Sequence, residues 1–170
     1  MRLIVVDVES DGPCPGLYSM ICFGAVIVDE KLDKVFEGKV KPISNNFNQE
    51  SLLISGYTRK EHEKFEEPTI VMHKFYEWII KNAKNPVFIS DNNGYDWQFI
   101  NYYFHAFYGK NPFGWSSRRI SDLWCGYKND MHVRWKNMRK TKHTHNPVDD
   151  ALGNAEALLE MKRLGLNLKI

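Results

Sequence analysis

The sequence predicts a sheet-centred α/β or α+β fold, because strands dominate the first part of the chain and helices alternate with strands later. Residues 3–6 form a continuous apolar run rich in β-branched side chains, typical of a strand buried on both faces. Residues 18–28 and 34–40 predict two further strands joined by a short polar link. Three sequential strands with short links indicate a meander.

Helical patterns follow the meander. The predicted elements are short helices at 51–55 and 58–64, a helix at 68–82, a strand at 86–90, a helix at 94–108, a loop at 109–119, a helix at 120–127 and an irregular basic segment at 128–144. The last helix is the best marked, with Asn146 as its N-cap, Pro147 at its first position and Gly165 as its stop.

Length and composition favour one folded domain spanning residues 1–170. The chain is 43% hydrophobic and 26% charged, which gives no indication of long disorder, fibrous structure or a coiled coil. The net charge of +2 decides little, because an acidic metal site can offset a basic binding face. The aromatic content of 14% fits either base stacking or an aromatic core, of which we expect the core.

The cysteines and the N-terminal sequence indicate a cytoplasmic protein. Three cysteines without C-x-x-C spacing argue against a disulfide framework and against cysteine-ligated zinc, so we expect a reducing compartment. The apolar run at the N-terminus is too short for a signal peptide or a membrane span.

Three carboxylates lie beside apolar residues that should be buried, where a charged group is energetically unfavourable. Asp7 and Glu9 are two residues apart on the first strand, so both side chains point to one face at the strand's carboxyl end. Asp96 begins a helical stripe of apolar residues that should be buried. Hard oxygen ligands of this kind suit Mg²⁺ or Mn²⁺. A solvent-exposed strand end for the first pair and helix capping by Asp96 are the alternatives.

A histidine and two aspartates flank the start of the last helix. His145 precedes the helix, and Asp149 and Asp150 lie in its first turn. Periodicity does not choose between the two aspartates, since each can be a metal ligand or can complement the helix dipole. His143 and His145 could form a zinc pair, but the sequence shows no third nitrogen or sulfur ligand.

Taken in order, these motifs resemble the DEDDh family of 3′-to-5′ exonucleases, which includes ribonuclease T, oligoribonuclease and proofreading exonucleases. The family uses D-x-E, a distal Y/F-D and H-x4-D on a ribonuclease H-like fold, a mixed central sheet flanked by helices. Asp7-Val8-Glu9, the segment SDNNGYDWQFI around Asp96, and HNPVDDA with His145 five residues before Asp150 match these motifs.

The resemblance implies a two-metal phosphodiester hydrolysis. Two Mg²⁺ or Mn²⁺ ions would be held by Asp7, Glu9, Asp96 and Asp150, with Asp7 bridging them, and His145 would take the proton from the attacking water. The products would be nucleoside 5′-monophosphates.

The expected substrate is a single-stranded RNA or DNA 3′ end, with RNA slightly favoured because many relatives of this small size act on RNA. Many such relatives also form homodimers. The resemblance further suggests Ser10, in place of the family's usual threonine, and Asn92 as substrate contacts. Asp91 and Pro147 depart from the family's usual histidine and alanine without touching a metal ligand.

A basic stretch at 134–142 lies just before the third motif. Lys136, Arg139 and Lys140 suit phosphate contacts and Trp135 suits base stacking, although a solvated basic loop is the alternative. Two other function classes stay open: a phosphatase with Asp7 as its nucleophile, and a non-catalytic nucleic-acid-binding module on the same fold.

Overall fold

Five strands form one mixed sheet in the computed structural model, which describes all 170 residues. The strands are β1 (Arg2–Ser10), β2 (Met20–Ile27), β3 (Val35–Lys39), β4 (Pro86–Ser90) and β5 (Ser117–Arg119). Their order in the sheet is β3-β2-β1-β4-β5. Strand β2 is antiparallel to both β1 and β3, whereas β4 is parallel to β1 and β5 is parallel to β4. The predicted meander and the predicted mixed sheet are therefore confirmed.

Six α-helices flank this sheet. They are α1 (Gln49–Ser55), α2 (Arg59–His62), α3 (Pro68–Asn82), α4 (Asn93–Phe107), α5 (Ile120–Lys128) and α6 (Pro147–Arg163), with a short 3-10 turn at Lys136–Met138. None of the helices is both long and apolar enough to cross a lipid bilayer. The three cysteines are unpaired.

One predicted loop was wrong, and β1 extends beyond its apolar run. The segment 109–119 contains β5, a three-residue edge strand of polar residues that is defined by backbone pairing with β4 and has no alternation of its own. Strand β1 continues past the apolar run to Ser10, because β2 pairs with it along this whole length. Asp7 and Glu9 consequently lie within this strand, as predicted, and Ser10 is its last residue.

The alternation of β1 divides the interior into two cores. Ile4, Val6 and Val8 pack into the core on the face of α3 and α4. Leu3 and Val5 pack into the second core, which contains the buried face of α6. Because side chains alternate along a strand, Asp7 and Glu9 share the second face and point toward α6.

Aromatic rings fill much of the first core, as expected from the composition. The ring of Phe75 lies 4.8 Å from Phe23, 4.9 Å from Phe36 and 5.5 Å from Phe104, measured between ring centroids. Such close tilted and stacked pairs add to the stability that apolar burial provides.

The start of α6 lies against the centre of the sheet. The side chain of Asn146 caps the helix by accepting hydrogen bonds from the backbone N–H groups of Val148 and Asp149 at 3.0 and 3.3 Å. Gly24 of β2, which pairs with Asp7, allows this close approach. A Cβ atom on Gly24 would lie only 2.3 Å from the carbonyl oxygen of Pro147. The glycine thus brings the first turn of α6 next to the carboxylates of β1.

Replacing Gly24 with alanine should destabilise the protein, because the new methyl group collides with backbone that cannot rotate away. We expect Gly24→Ala to lower the free energy of unfolding by about 1–3 kcal/mol. Guanidinium denaturation measures this change. Gly126→Ala is the matched control, since Gly126 lies in a helix with open space around it. It should leave stability unchanged or raise it by up to about 1 kcal/mol. Equal stability of the Gly24 variant and the wild type would contradict this account of the α6 contact.

Candidate active site

Carboxylates from three elements meet at the carboxyl end of β1. Asp7 and Glu9 come from β1, and Asp96 and Asp150 come from the first turns of α4 and α6. One carboxylate oxygen from each of Asp7, Glu9 and Asp150 lies within 4.8 Å of the others. A pocket opens at this edge, lined by Asp7, Val8, Glu9, Ser10, Ser51, Ile54, Asp91, Asn92, Tyr95, Asp96, His143 and His145. The structure therefore brings the predicted metal ligands together.

Asp96 is fixed to the strand that carries the first two carboxylates. Its Oδ1 accepts a hydrogen bond from the backbone N–H of Val8 at 3.1 Å, and the residue is 3% exposed. Its Oδ2 is buried without a hydrogen-bond partner. Asn92, not Asp96, occupies the N-cap position of α4. The capping alternative for Asp96 is therefore wrong, and one buried carboxylate oxygen is left for another ligand.

Asp150 has more ion-pair and hydrogen-bond partners than the other three carboxylates. Its Oδ1 lies 2.7 Å from Nη2 of Arg139 and 2.8 Å from Nδ1 of His143. The backbone N–H of His145 donates to its Oδ2 at 3.0 Å. Asp149, which periodicity could not separate from Asp150, lies away from this cluster and accepts a hydrogen bond from Thr144 Oγ1 at 3.3 Å. The buried position in the first turn of α6 belongs to Asp150.

Asp7, Glu9 and Asp96 hold their protons more strongly than usual. Burial, together with the negative charges of Asp96, Asp150 and Glu9, raises the pKa of Asp7 well above its ordinary value, against a smaller opposing effect of Arg139. Burial raises the pKa of Glu9 to about 7, with a further contribution from Asp150. Burial also raises the pKa of Asp96 to about 8. The cluster therefore has more negative charge than its own surroundings can neutralise.

His145 lies at the mouth of the pocket. Its backbone adopts the left-handed conformation, with φ of 59°, which turns the imidazole toward β1. Its Nδ1 is 3.6 Å from Oε1 of Glu9, and its side chain is 49% exposed. This position gives the ring access both to the carboxylate cluster and to solvent.

The two substrate contacts suggested by the resemblance also lie at the pocket. Ser10 is buried, and its hydroxyl donates to the carbonyl oxygen of Gly12 at 2.6 Å and lies 2.5 Å from the hydroxyl of Tyr95. Asn92 is exposed, and its side chain makes no capping hydrogen bond. Asn92 is thus free to contact a ligand, whereas the hydroxyl of Ser10 already has protein partners.

Two expectations for the basic stretch need correction. Trp135 is 3% exposed and packs in the second core, where its Nε1 donates to Ser121 Oγ at 2.9 Å, so no face of the ring is open to a base. The side chain of Arg139 is 7% exposed and donates to Asp150, so it does not reach a phosphate in solution.

The two lysines of this stretch differ in position. Lys140 lines a separate groove with Glu156 and Glu160, away from the residues of the acidic pocket. Lys136 is exposed, and its Nζ lies 2.7 Å from Oδ2 of Asp91, a pocket residue. Of the basic residues proposed as phosphate contacts, only Lys136 reaches the rim of the pocket.

Some residues at the site gave no sequence signal. Ser51 and Ile54 of α1 line the pocket, although the sequence indicated only a short helix there and no role at the site. The guanidinium of Arg59 in α2 donates to the buried carboxylate of Asp11, the residue after β1, at 2.9 Å. This contact joins segments 48 residues apart, so local patterns do not encode it.

Comparison with known proteins identifies a related exonuclease and solved structures that share this fold. No family model matches the chain. The 3′-5′ DNA exonuclease Cap18 of Escherichia coli is 35% identical over 159 residues, which are 91% of this chain and 83% of that protein. The nuclease domain of 3′hExo, described as a DEDDh family member bound to rAMP, superposes with a TM-score of 0.80 at 17% identity, over 99% of this chain and 95% of that one.

A second solved structure is the zinc-bound form of the E. coli ExoI–ssDNA complex, with a TM-score of 0.70 at 18% identity, over 97% of this chain and 41% of ExoI. These superpositions confirm the predicted ribonuclease H-like fold. The identity to the curated exonuclease extends over 91% of this chain. The chain therefore belongs to the DEDDh family of 3′-to-5′ exonucleases.

Proposed function

We propose that this exonuclease removes nucleotides from the 3′ end of single-stranded DNA by a two-metal mechanism and releases nucleoside 5′-monophosphates. One observation carries the proposal: four carboxylates converge at one edge of the sheet, and a single guanidinium, that of Arg139, is the permanent cation that contacts them. A cluster with such an excess of negative charge is a binding site for cations.

The donor atoms fit divalent ions that prefer oxygen. Asp7, Glu9, Asp96 and Asp150 offer only carboxylate oxygens, which suit Mg²⁺ and Mn²⁺. The unpartnered Oδ2 of Asp96 and the raised pKa values of Asp7, Glu9 and Asp96 are consistent with bound cations. Cation binding would displace the protons and remove the repulsion between the carboxylates.

Each residue then has a defined task. When bound, the cations would supply an activated water and stabilise the charge that develops on the phosphate and on the leaving 3′ oxygen. Asp7, Glu9, Asp96 and Asp150 would hold the two ions, and the charge of Asp7 interacts with those of the other three. His145 would accept the proton of the attacking water and pass it to solvent, to which half of its side chain is open.

The choice of DNA rests on the relative rather than on the pocket. Small size alone favours RNA, whereas the 35% identical relative acts, by its name, on DNA. Ser51 and Ile54 of α1 line the pocket and would meet a terminal nucleotide. Lys136 at the rim is the proposed phosphate contact. The homodimer suggested by the resemblance stays a prediction.

Asp7→Asn and His145→Ala should both abolish or greatly reduce exonuclease activity. Loss of the Asp7 carboxylate removes one of the proposed metal ligands, and loss of a general base typically lowers kcat about 10²- to 10⁴-fold. A time course with 5′-labelled single-stranded DNA and RNA of one sequence, in Mg²⁺, Mn²⁺ or EDTA, measures the loss and the sugar preference. Asp149→Asn is the matched control, because it changes the same charge one residue away from Asp150 and should retain activity.

Four outcomes would contradict the proposal. Faster shortening of RNA than of DNA would overturn the DNA preference. Retention of activity in EDTA would exclude the metal mechanism. Binding without any shortening would favour the non-catalytic module, and a phosphoenzyme trapped on Asp7 would favour the phosphatase.

The metal-free protein should lose stability as pH rises from about 6 to 8.5. The pKa values of Glu9, at about 7, and Asp96, at about 8, are above those of an unfolded chain, so the folded state binds more protons in this range. Their stabilising effect is complete below the unfolded pKa and is lost as pH rises through the folded pKa. Thermal unfolding in EDTA should therefore give a lower Tm at pH 8.5 than at pH 6.

Divalent cations should reverse this trend. Because Mn²⁺ binds only the deprotonated carboxylates, its affinity should increase with pH and its binding should release protons. Calorimetric titration in buffers of different ionisation enthalpy counts these protons. A Tm in EDTA that does not fall with pH, together with proton-free binding of Mn²⁺, would contradict the assigned pKa shifts.

A further inference from the structure

Asp150 belongs to two different sets of donor atoms. With Asp7 and Glu9 it forms a set of oxygens only, and with His143 and His145 it forms a set of two nitrogens and one oxygen. The ligand atoms of each set lie within 4.8 Å of one another. His143 has no part in the proposed hydrolysis, yet its Nδ1 lies 2.8 Å from Oδ1 of Asp150.

We propose that His143, His145 and Asp150 form an inhibitory Zn²⁺ site at the mouth of the active-site pocket. Imidazole nitrogens favour Zn²⁺ strongly over Mg²⁺, which takes oxygen ligands. Three protein donors are a sufficient set for zinc, with water in the fourth position. The carboxylate of Glu9, 3.6 Å from His145 Nδ1, is an alternative fourth ligand.

The backbone around Asp150 holds the two imidazoles together. The N–H groups of Thr144 and His145 both point at the Asp150 carboxylate, at 3.3 and 3.0 Å. The left-handed conformation of His145 then puts its ring 4.4 Å from the ring of His143, measured between centroids. The short segment before α6 thus presents two histidines that are two residues apart to one carboxylate.

The spacing is within reach of tetrahedral coordination. With bonds of about 2.1 Å, donor atoms around Zn²⁺ lie about 3.4 Å apart. The side chains of His143 and His145 are 55% and 49% exposed, so both rings have room to rotate by the small amount required. Asp150 is 1% exposed and provides the fixed donor.

Zinc at this position would stop the reaction without removing every magnesium ligand. The inhibition, though not the binding, rests on the proposed function. A histidine nitrogen that is bonded to Zn²⁺ has no free lone pair, so His145 could not accept the proton of the attacking water. The ion would also take an oxygen of Asp150 and would lie across the path of the substrate into the pocket. Excess Mg²⁺ competes poorly for a site with two nitrogen donors.

Binding is tested with Co²⁺, a spectroscopic substitute for zinc, added to the metal-free protein. We expect one equivalent to give the visible absorption of a four-coordinate site and to be displaced by Zn²⁺. His143→Gln should weaken Co²⁺ binding about 10-fold or more, since even loss of an outer partner of a metal ligand costs about 10- to 100-fold in affinity. His132→Gln, a change at an exposed histidine outside the pocket, should have no effect. An unchanged spectrum and affinity in the His143 variant would overturn the proposal.

Inhibition is tested by adding Zn²⁺ to the exonuclease at saturating Mg²⁺. Because His143 also contacts Asp150, each protein is assayed at a Mg²⁺ concentration that saturates it, and inhibition is expressed relative to its own activity without zinc. On this scale His143→Gln should need a zinc concentration about 10-fold or more higher for half inhibition. Equal zinc sensitivity of the variant and the wild type would overturn the inhibitory role. Asp7→Asn separates this test from the proposed function: the variant should lose hydrolysis but still give the Co²⁺ spectrum. A protein that gives the His143-dependent Co²⁺ spectrum but never cleaves DNA or RNA would contradict the proposed function and still support the zinc site.

Discussion

Repulsion between carboxylates is the interaction on which the rest of this structure depends. Two like charges about 4 Å apart near a protein surface repel by about 4 kcal/mol, and four carboxylates converge here at the edge of one sheet. Apolar packing of α6, through Ala151, Ala155 and Leu158, holds them together. Burial is the main cause of the raised pKa values of Asp7, Glu9 and Asp96, and repulsion from neighbouring carboxylates raises them further. The fold is thus already arranged for cations.

A single strand serves both the core and the chemistry. Alternate residues of β1 fill the two cores, and the same alternation turns Asp7 and Glu9 toward α6. Gly24, directly across from Asp7, leaves room for the first turn of α6 and so for Asp150. The hydrogen bond from Val8 N–H to Asp96 ties α4 to this same strand. The positions of the four carboxylates are therefore set by regular structure, whereas His143 and His145 depend on the conformation of the loop before α6.

Local patterns in the sequence predicted much of this arrangement. The bounds of α3 and β4 match the prediction, and the cap of α6 at Asn146 is as expected, because apolar period and capping chemistry act locally. The three-residue β5 could not be predicted, since it exists only through pairing with β4. Neither the burial of Trp135 nor the contact of Arg139 with Asp150 could be predicted, because both depend on where a non-repetitive segment packs. The choice of Asp150 over Asp149 likewise needed the family resemblance or the tertiary structure.

The central claim is that the four carboxylates are a site for two cations. Anomalous diffraction from crystals soaked in Mn²⁺ with a nucleoside 5′-monophosphate tests it most directly. The account predicts two anomalous peaks about 4 Å apart, both within bonding distance of Asp7 and with Asp96 Oδ2 as a ligand. A cluster that shows no peak at saturating Mn²⁺, with Arg139 still as the only cation at Asp150, would contradict it.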